Sequence, residues 1–162
     1  MDLYGELILE HSKHPEHSGL RDGSAAEVHH INPTCGDEIT LRVHLGSPDS
    51  PDSPDSRTGD VVTDVSYEAM GCSISVAATS MLAQECIGRP VSETLGTYRH
   101  VHAMLTSRGS DPGDAAQIGD AVALAGVAKY PARVKCALLG WSAYLDALAR
   151  AGVDIAAMRT YR

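Results

Sequence analysis

The hydrophobic pattern of this 162-residue chain changes its period at Gly71. Before this glycine, apolar and polar residues alternate, as is typical of strands, in residues 26–31, 39–45 and 61–69. After it, apolar residues recur at helical spacing in residues 73–87, 91–107 and 131–150. Strands followed by helices predict an α+β fold, in which a small antiparallel three-stranded sheet has helices packed on one face.

Two further helical segments complete this prediction. One covers residues 2–13 and ends before Pro15, and a short alanine-rich segment ends near Ala125. In the last long helix, the predicted core stripe consists of Val134, Leu138, Trp141, Leu145 and Leu148. Because a length of 162 residues is typical of one domain, we expect residues 1–162 to form a single domain.

A triplicated Ser-Pro-Asp sequence separates the second and third predicted strands. Residues 47–60 read SPDSPDSPDSRTGD. Each proline lacks an N–H donor and the aspartates repel one another, so we predict a disordered hairpin loop. The loop is either a docking or phosphorylation element or a tolerated expansion of the hairpin tip. We favour the expansion, because loop insertions cost little free energy.

Charge and hydropathy exclude two classes of partner. Thirteen basic and 21 acidic residues give a formal net charge of −8, whereas nucleic-acid binders usually have a basic surface that neutralises phosphates. No apolar run approaches the roughly 18 residues that a membrane span needs, and the N-terminus does not resemble a signal peptide. We therefore expect a cytoplasmic protein whose partners include neither nucleic acid nor a membrane.

Three of the four cysteines lie where a metal site can form. Cys35 precedes Gly36 in a turn between two strands, and the glycine lets the backbone bend so that Cys35 and Asp37 converge on one ion. Cys72 opens a helix, where free N–H groups and the helix dipole stabilise a thiolate. Cys136 lies in the last long helix, off its apolar stripe. The three cysteines and Asp37 fit either a zinc site or the edge of an iron–sulfur cluster. The alternative is that the three cysteines are packed in the core as small hydrophobic side chains.

Three motifs follow one another along the chain: NPTCGD at 32–37, GCSIS with ATSM at 71–75 and 78–81, and RVKCALLGW at 133–141. In this order they resemble the SufU branch of the IscU/NifU-like iron–sulfur assembly proteins. The resemblance extends over about residues 3–150. It implies the SufU/IscU-like fold and a metal site formed by Cys35, Asp37, Cys72 and Cys136.

The resemblance also implies a function. SufU-like proteins bind zinc at these four positions and accept sulfur from a pyridoxal-phosphate cysteine desulfurase of the SufS type. In the family's mechanism, a desulfurase side chain releases the cysteine that matches Cys35, and its thiolate becomes the nucleophile. The sulfur then passes to a downstream iron–sulfur assembly scaffold. By resemblance, the chain is therefore a zinc-dependent sulfurtransferase.

Two departures from the IscU-like scaffolds favour this sulfur acceptor. Lys135 stands before the last cysteine, where those scaffolds have histidine, and YPARV at residues 130–134 stands where they offer a chaperone the segment LPPVK. One alternative is a scaffold that assembles a transient [2Fe–2S] cluster on the same residues. Another is a structural zinc protein that regulates a partner.

Other potential metal ligands are predicted to be uninvolved. Cys86 lies on the core stripe of its helix and is interpreted as a buried thiol. His11, His14 and His17 recur at every third residue, but Pro15 breaks their helix. We therefore interpret these histidines as part of a solvated face.

Overall fold

A computed structural model describes residues 3–34, 36–46 and 60–161, with side chains described as far as Met158. Two predictions concern residues outside these ranges. One is the role of Cys35 as a metal ligand, and the other is the disordered loop at residues 47–60, of which only Asp60 is described. Within the described ranges, no helix is long and apolar enough to cross a membrane.

The order of helices and strands confirms the α+β prediction. The elements are α1 (Leu3–Lys13), β1 (Ala26–Asn32), β2 (Asp37–Gly46), β3 (Val61–Met70), α2 (Ser73–Cys86), α3 (Val91–Leu105), α4 (Ala115–Ile118), a 3-10 helix (Gly119–Lys129), α5 (Pro131–Arg150) and a final 3-10 helix (Ala156–Tyr161). The alanine-rich segment is longer than predicted and is mostly 3-10 helix. The final 3-10 helix has no counterpart in the prediction.

The three strands form an antiparallel sheet in the order β1-β2-β3. Along most of β2, buried residues alternate with partly exposed ones, so one face of the sheet points into the core. Asn32 pairs with Asp37 across the β1–β2 turn, and Glu38 pairs with Met70 at the end of β3. This register places the start of β2 beside the connection from β3 to α2.

Helix α5 packs against α2, β1 and β2, and its buried face is wider than the predicted stripe. Val134 and Leu138 are only partly buried, whereas Cys136 is buried. A Cβ atom on Gly140 would lie 2.3 Å from Oγ1 of Thr79. Helices α5 and α2 therefore approach closely at Gly140, because glycine has no side chain. Gly140 lies one helical turn after Cys136.

Candidate metal centre

Three of the four predicted metal ligands converge at one end of the sheet. One Oδ of Asp37 and the Sγ atoms of Cys72 and Cys136 all lie within 4.8 Å of one another. Asp37 and Cys136 are buried and Cys72 is partly buried. The fourth predicted ligand, Cys35, lies outside the described residues, between Thr34 and Gly36 in the sequence.

Each of these three residues is positioned by a different element. Asp37 is the first residue of β2 and lies on the face of the sheet that points into the core. Cys72 is the N-cap residue of α2, two residues after the end of β3. Cys136 lies in the second turn of α5. Strand pairing therefore brings Asp37 to Cys72, and the packing of α5 adds Cys136.

The Asp37 carboxylate also caps α2. Its Oδ1 accepts a hydrogen bond from the backbone N–H of Cys72 at 3.1 Å, and its Oδ2 lies 3.3 Å from Cys72 Sγ. The Ser75 hydroxyl donates a hydrogen bond to the same Oδ2 atom. Helix α2 has no cap bond from its own N-cap side chain. Asp37 thus supplies negative charge at the helix N-terminus, where N–H groups otherwise lack partners.

Asn32 links Cys136 to the β1–β2 turn. Its Nδ2 atom donates to Cys136 Sγ at 4.0 Å, and its Oδ1 accepts the backbone N–H of Thr34 at 3.1 Å. Its backbone carbonyl accepts the N–H of Gly36 at 2.8 Å, and Gly36 has a φ of 75°, in the left-handed region that favours glycine. Asn32 therefore fixes the residues on both sides of Cys35.

The donor atoms fit a zinc ion. Zinc in proteins binds carboxylate oxygens at about 2.0 Å and thiolates at about 2.3 Å in tetrahedral geometry, which places neighbouring ligand atoms about 3.5–3.8 Å apart. The 3.3 Å separation of Asp37 and Cys72 and the 4.8 Å limit for the whole cluster bracket this spacing. Ionised thiolates and a carboxylate at this partly buried position require a cation. Iron is also compatible with this set of atoms.

Gly71 makes the approach of Asp37 to Cys72 possible. A Cβ atom at residue 71 would lie 2.2 Å from Asp37 Oδ1 and 2.5 Å from Asp37 Cγ. Real Cβ atoms do not approach so closely, so any side chain at this position must displace the carboxylate.

We therefore expect Gly71→Ala to weaken zinc binding at least about 10-fold. This is the lower end of the loss of metal affinity that usually follows when the contacts supporting a metal ligand are disrupted. Competition with a chromophoric chelator measures the effect. Gly126→Ala is the matched control, because a Cβ there meets nothing within 4 Å. Equal zinc affinity in the two variants would contradict the role assigned to Gly71.

Cys86 lies apart from this cluster, as predicted. It is the last residue of α2, so a helix about 20 Å long separates it from Cys72. It is fully buried, and burial raises the pKa of its thiol to about 12. The interpretation of Cys86 as a buried thiol is confirmed.

The solvated-face interpretation is wrong for one of the three N-terminal histidines. His14 and His17 are exposed, but His11 is buried. Its Nδ1 lies 2.7 Å from Ser80 Oγ, and its Nε2 lies 3.0 Å from Asp120 Oδ2. The reason is tertiary packing, because α1 packs against both α2 and the first 3-10 helix.

The sequence patterns predict no role for Ser75 or Asn32, although both contact the cluster. The position of Ser75 could have indicated this contact, since Ser75 follows Cys72 by three residues and lies in the first turn of the same helix. Asn32 begins the NPTCGD motif and can form a local turn through its side chain. Their contacts with side chains from other elements depend on the tertiary structure.

Fold and site together define a class of protein: a small α+β domain with a cysteine–carboxylate cluster at one end of a three-stranded sheet. The sequence model of the NifU-like N-terminal domain matches residues 3–137. The chain therefore belongs to the NifU-like N-terminal domain family, which includes the IscU and SufU proteins. The resemblance inferred from the three motifs is confirmed.

Several characterised relatives align over nearly the whole chain. The zinc-dependent sulfurtransferase SufU of Bacillus subtilis is 36% identical over 148 residues, 91% of this chain and 90% of that protein. The iron–sulfur cluster assembly scaffold protein IscU of Streptococcus pyogenes is also 36% identical, over 91% of this chain and 84% of its own length. The crystal structure of a proposed SUF-system scaffold from Fervidobacterium islandicum superimposes with a TM-score of 0.74 at 29% identity, covering 88% of this chain and 94% of the other.

Proposed function

We propose that this protein is a zinc-dependent sulfur acceptor in iron–sulfur cluster biogenesis, which takes persulfide sulfur from a SufS-type cysteine desulfurase. The observation that supports this most directly is the convergence of Asp37, Cys72 and Cys136 within 4.8 Å. The similarity to the zinc-dependent sulfurtransferase SufU supports zinc as the metal. The downstream partner is an iron–sulfur assembly scaffold in the same compartment, the cytoplasm.

In this proposal Cys35, Asp37, Cys72 and Cys136 hold the zinc ion. Bound zinc keeps thiols deprotonated at neutral pH and shields them from oxidation. Four anionic ligands leave a net charge of −2 around a divalent ion, so nearby cations stabilise the site. The exposed side chains of Arg133 and Lys135 both lie just before Cys136 in sequence and supply positive charge at this end of α5.

Cys35 is the proposed sulfur-accepting nucleophile. Its thiolate attacks the outer sulfur of the persulfide on the desulfurase cysteine and forms a new S–S bond. The original S–S bond breaks, and its electron pair leaves with the desulfurase cysteine as a thiolate. Cys35 then carries the transferred sulfur as a persulfide. The exchange is balanced and needs no external oxidant or reductant.

The second candidate function is a scaffold for a [2Fe–2S] cluster on the same four residues. The similarity to the IscU scaffold of Streptococcus pyogenes favours it. Against it, Lys135 occupies the position where IscU-like scaffolds have a histidine, and an exposed lysine is a poor ligand for iron. We therefore place the sulfur acceptor first.

Elemental analysis of protein purified without added metal, together with an assay of desulfurase turnover, tests this proposal. We expect one zinc ion per chain and a higher rate of sulfide release by a SufS-type desulfurase. Iron, acid-labile sulfide and visible absorption in the purified protein would indicate the scaffold instead. Zinc without any effect on the desulfurase would indicate a structural zinc protein.

A further inference from the structure

Ser75 contacts two of the proposed zinc ligands. Its hydroxyl donates a hydrogen bond to Asp37 Oδ2 and lies 3.5 Å from Cys72 Sγ. The side chain is buried, with 4% of its surface exposed. A buried hydroxyl is retained in a core when it has a specific partner, and here that partner is a metal ligand.

The position of Ser75 in α2 does not account for this contact. Ser75 is the third residue of the helix, whereas serines that cap a helix through their own side chain stand at the N-cap position. Its hydroxyl instead reaches a carboxylate from a strand of the sheet. The two oxygens of Asp37 thereby receive different donors, the backbone N–H of Cys72 on Oδ1 and the hydroxyl of Ser75 on Oδ2.

We propose that Ser75 is a positioning residue that orients the Asp37 carboxylate toward the metal and retains it there during sulfur transfer. The inference rests on the proposed zinc site. A hydrogen bond from a neutral hydroxyl to a carboxylate is strong in a buried environment, and it restricts rotation of the carboxylate about its side-chain torsions.

This role is needed because Asp37 is the weakest member of the ligand set. Its oxygen is a hard donor, whereas Cys72 and Cys136 offer soft sulfur to an ion of intermediate character. If Cys35 were released to accept sulfur, Asp37, Cys72 and Cys136 would be the residues left to hold the ion. A carboxylate oriented by Ser75 would then stay in place as a ligand, whereas a freely rotating one would be exchanged for water.

Zinc affinity and zinc-release rate of Ser75→Ala, measured by chelator competition, test the proposal without any desulfurase. We expect zinc affinity to fall about 10–100-fold, the usual cost of losing a hydrogen bond to a metal ligand, with faster release. The visible spectrum of Co²⁺-substituted Ser75→Ala should change, because the geometry of the carboxylate ligand changes. Ser75→Thr keeps the hydroxyl and should restore most of the affinity.

Ser80→Ala is the matched control, since Ser80 is another buried serine of α2 and bonds His11 rather than a proposed ligand. It should lower the melting temperature of the metal-free protein and leave zinc affinity unchanged. A double-mutant cycle with Asp37→Ala isolates the coupling: in that background, Ser75→Ala should cause no further loss.

Wild-type zinc affinity in Ser75→Ala would overturn the positioning role and leave the zinc site intact. The positioning role would also be overturned if Ser75→Ala lowered zinc affinity as much in the Asp37→Ala background as in the wild-type protein. The effect of Ser75 on zinc binding would then not act through Asp37. Failure of the wild-type protein to bind zinc is a different result, and it would refute the proposed function itself.

Discussion

Cys72→Ser and Cys136→Ser are each expected to reduce bound zinc from one ion per chain to nearly none after dialysis against a chelator. Zinc binds the thiolate form of cysteine, and a serine hydroxyl stays protonated at neutral pH and is a poor ligand. Cys136 is 5% exposed, so bulk water has little access to the position that its thiolate would leave. Native mass spectrometry and elemental analysis measure the result.

Cys86→Ser is the control for this pair of variants, because Cys86 is a buried cysteine at the far end of α2. It should retain a full zinc equivalent, while its melting temperature falls because a smaller and more polar hydroxyl replaces a fully buried thiol. Full zinc retention in Cys72→Ser or Cys136→Ser would remove that residue from the ligand set. Loss of zinc from folded Cys86→Ser would contradict the separation seen in the structure.

The strand pattern of the sequence predicts both the sheet and the proximity of Asp37 and Cys72, two of the four proposed ligands. Strand periodicity identifies β2 and β3, and antiparallel pairing of these successive strands places the start of β2 beside the end of β3. Asp37 begins β2 and Cys72 follows β3, so their proximity follows from the predicted pairing. The contact with Cys136 does not follow, because it depends on how α5 packs against α2.

That packing depends on features that residue propensities do not reveal. Gly140 lowers the intrinsic stability of α5, yet it allows the close approach to Thr79 on the face of α5 that also carries Cys136, four residues earlier. Gly71 similarly allows the Asp37 carboxylate to approach Cys72. A glycine in a sequence predicts conformational freedom, but the atom that comes to lie against it is known only from the tertiary structure.

His11 shows the same limit in a polar residue. Pro15 correctly predicts where α1 ends, but the end of a helix does not specify which of its faces is covered. One of the two partners of His11 is Asp120, which is 109 residues away in sequence. The burial of this histidine therefore depends on a long-range contact that local periodicity does not contain.

Cys35→Ala is expected to abolish sulfur acceptance, because Cys35 is the proposed zinc-binding cysteine whose neighbours, Thr34 and Gly36, lie in a turn rather than in a helix. Cys72 caps α2 and Cys136 lies within α5, so moving either thiol far would disrupt helical structure. Cys35 precedes Gly36, whose φ of 75° marks a turn. After incubation with a SufS-type desulfurase, pyridoxal phosphate and cysteine, alkylation and peptide mapping should locate a persulfide on Cys35 of the wild-type protein.

Zinc content measured on the same samples distinguishes a lost nucleophile from a lost metal site. In Cys35→Ala, Asp37, Cys72 and Cys136 remain close together, so zinc should still bind, more weakly, at saturating concentrations while sulfur transfer stays absent. Cys86→Ser should accept sulfur at the wild-type rate, since this thiol is buried away from the cluster. Persulfide found mainly on Cys72 or Cys136, or sulfur transfer that survives in Cys35→Ala, would assign the nucleophile to a cysteine held by a helix.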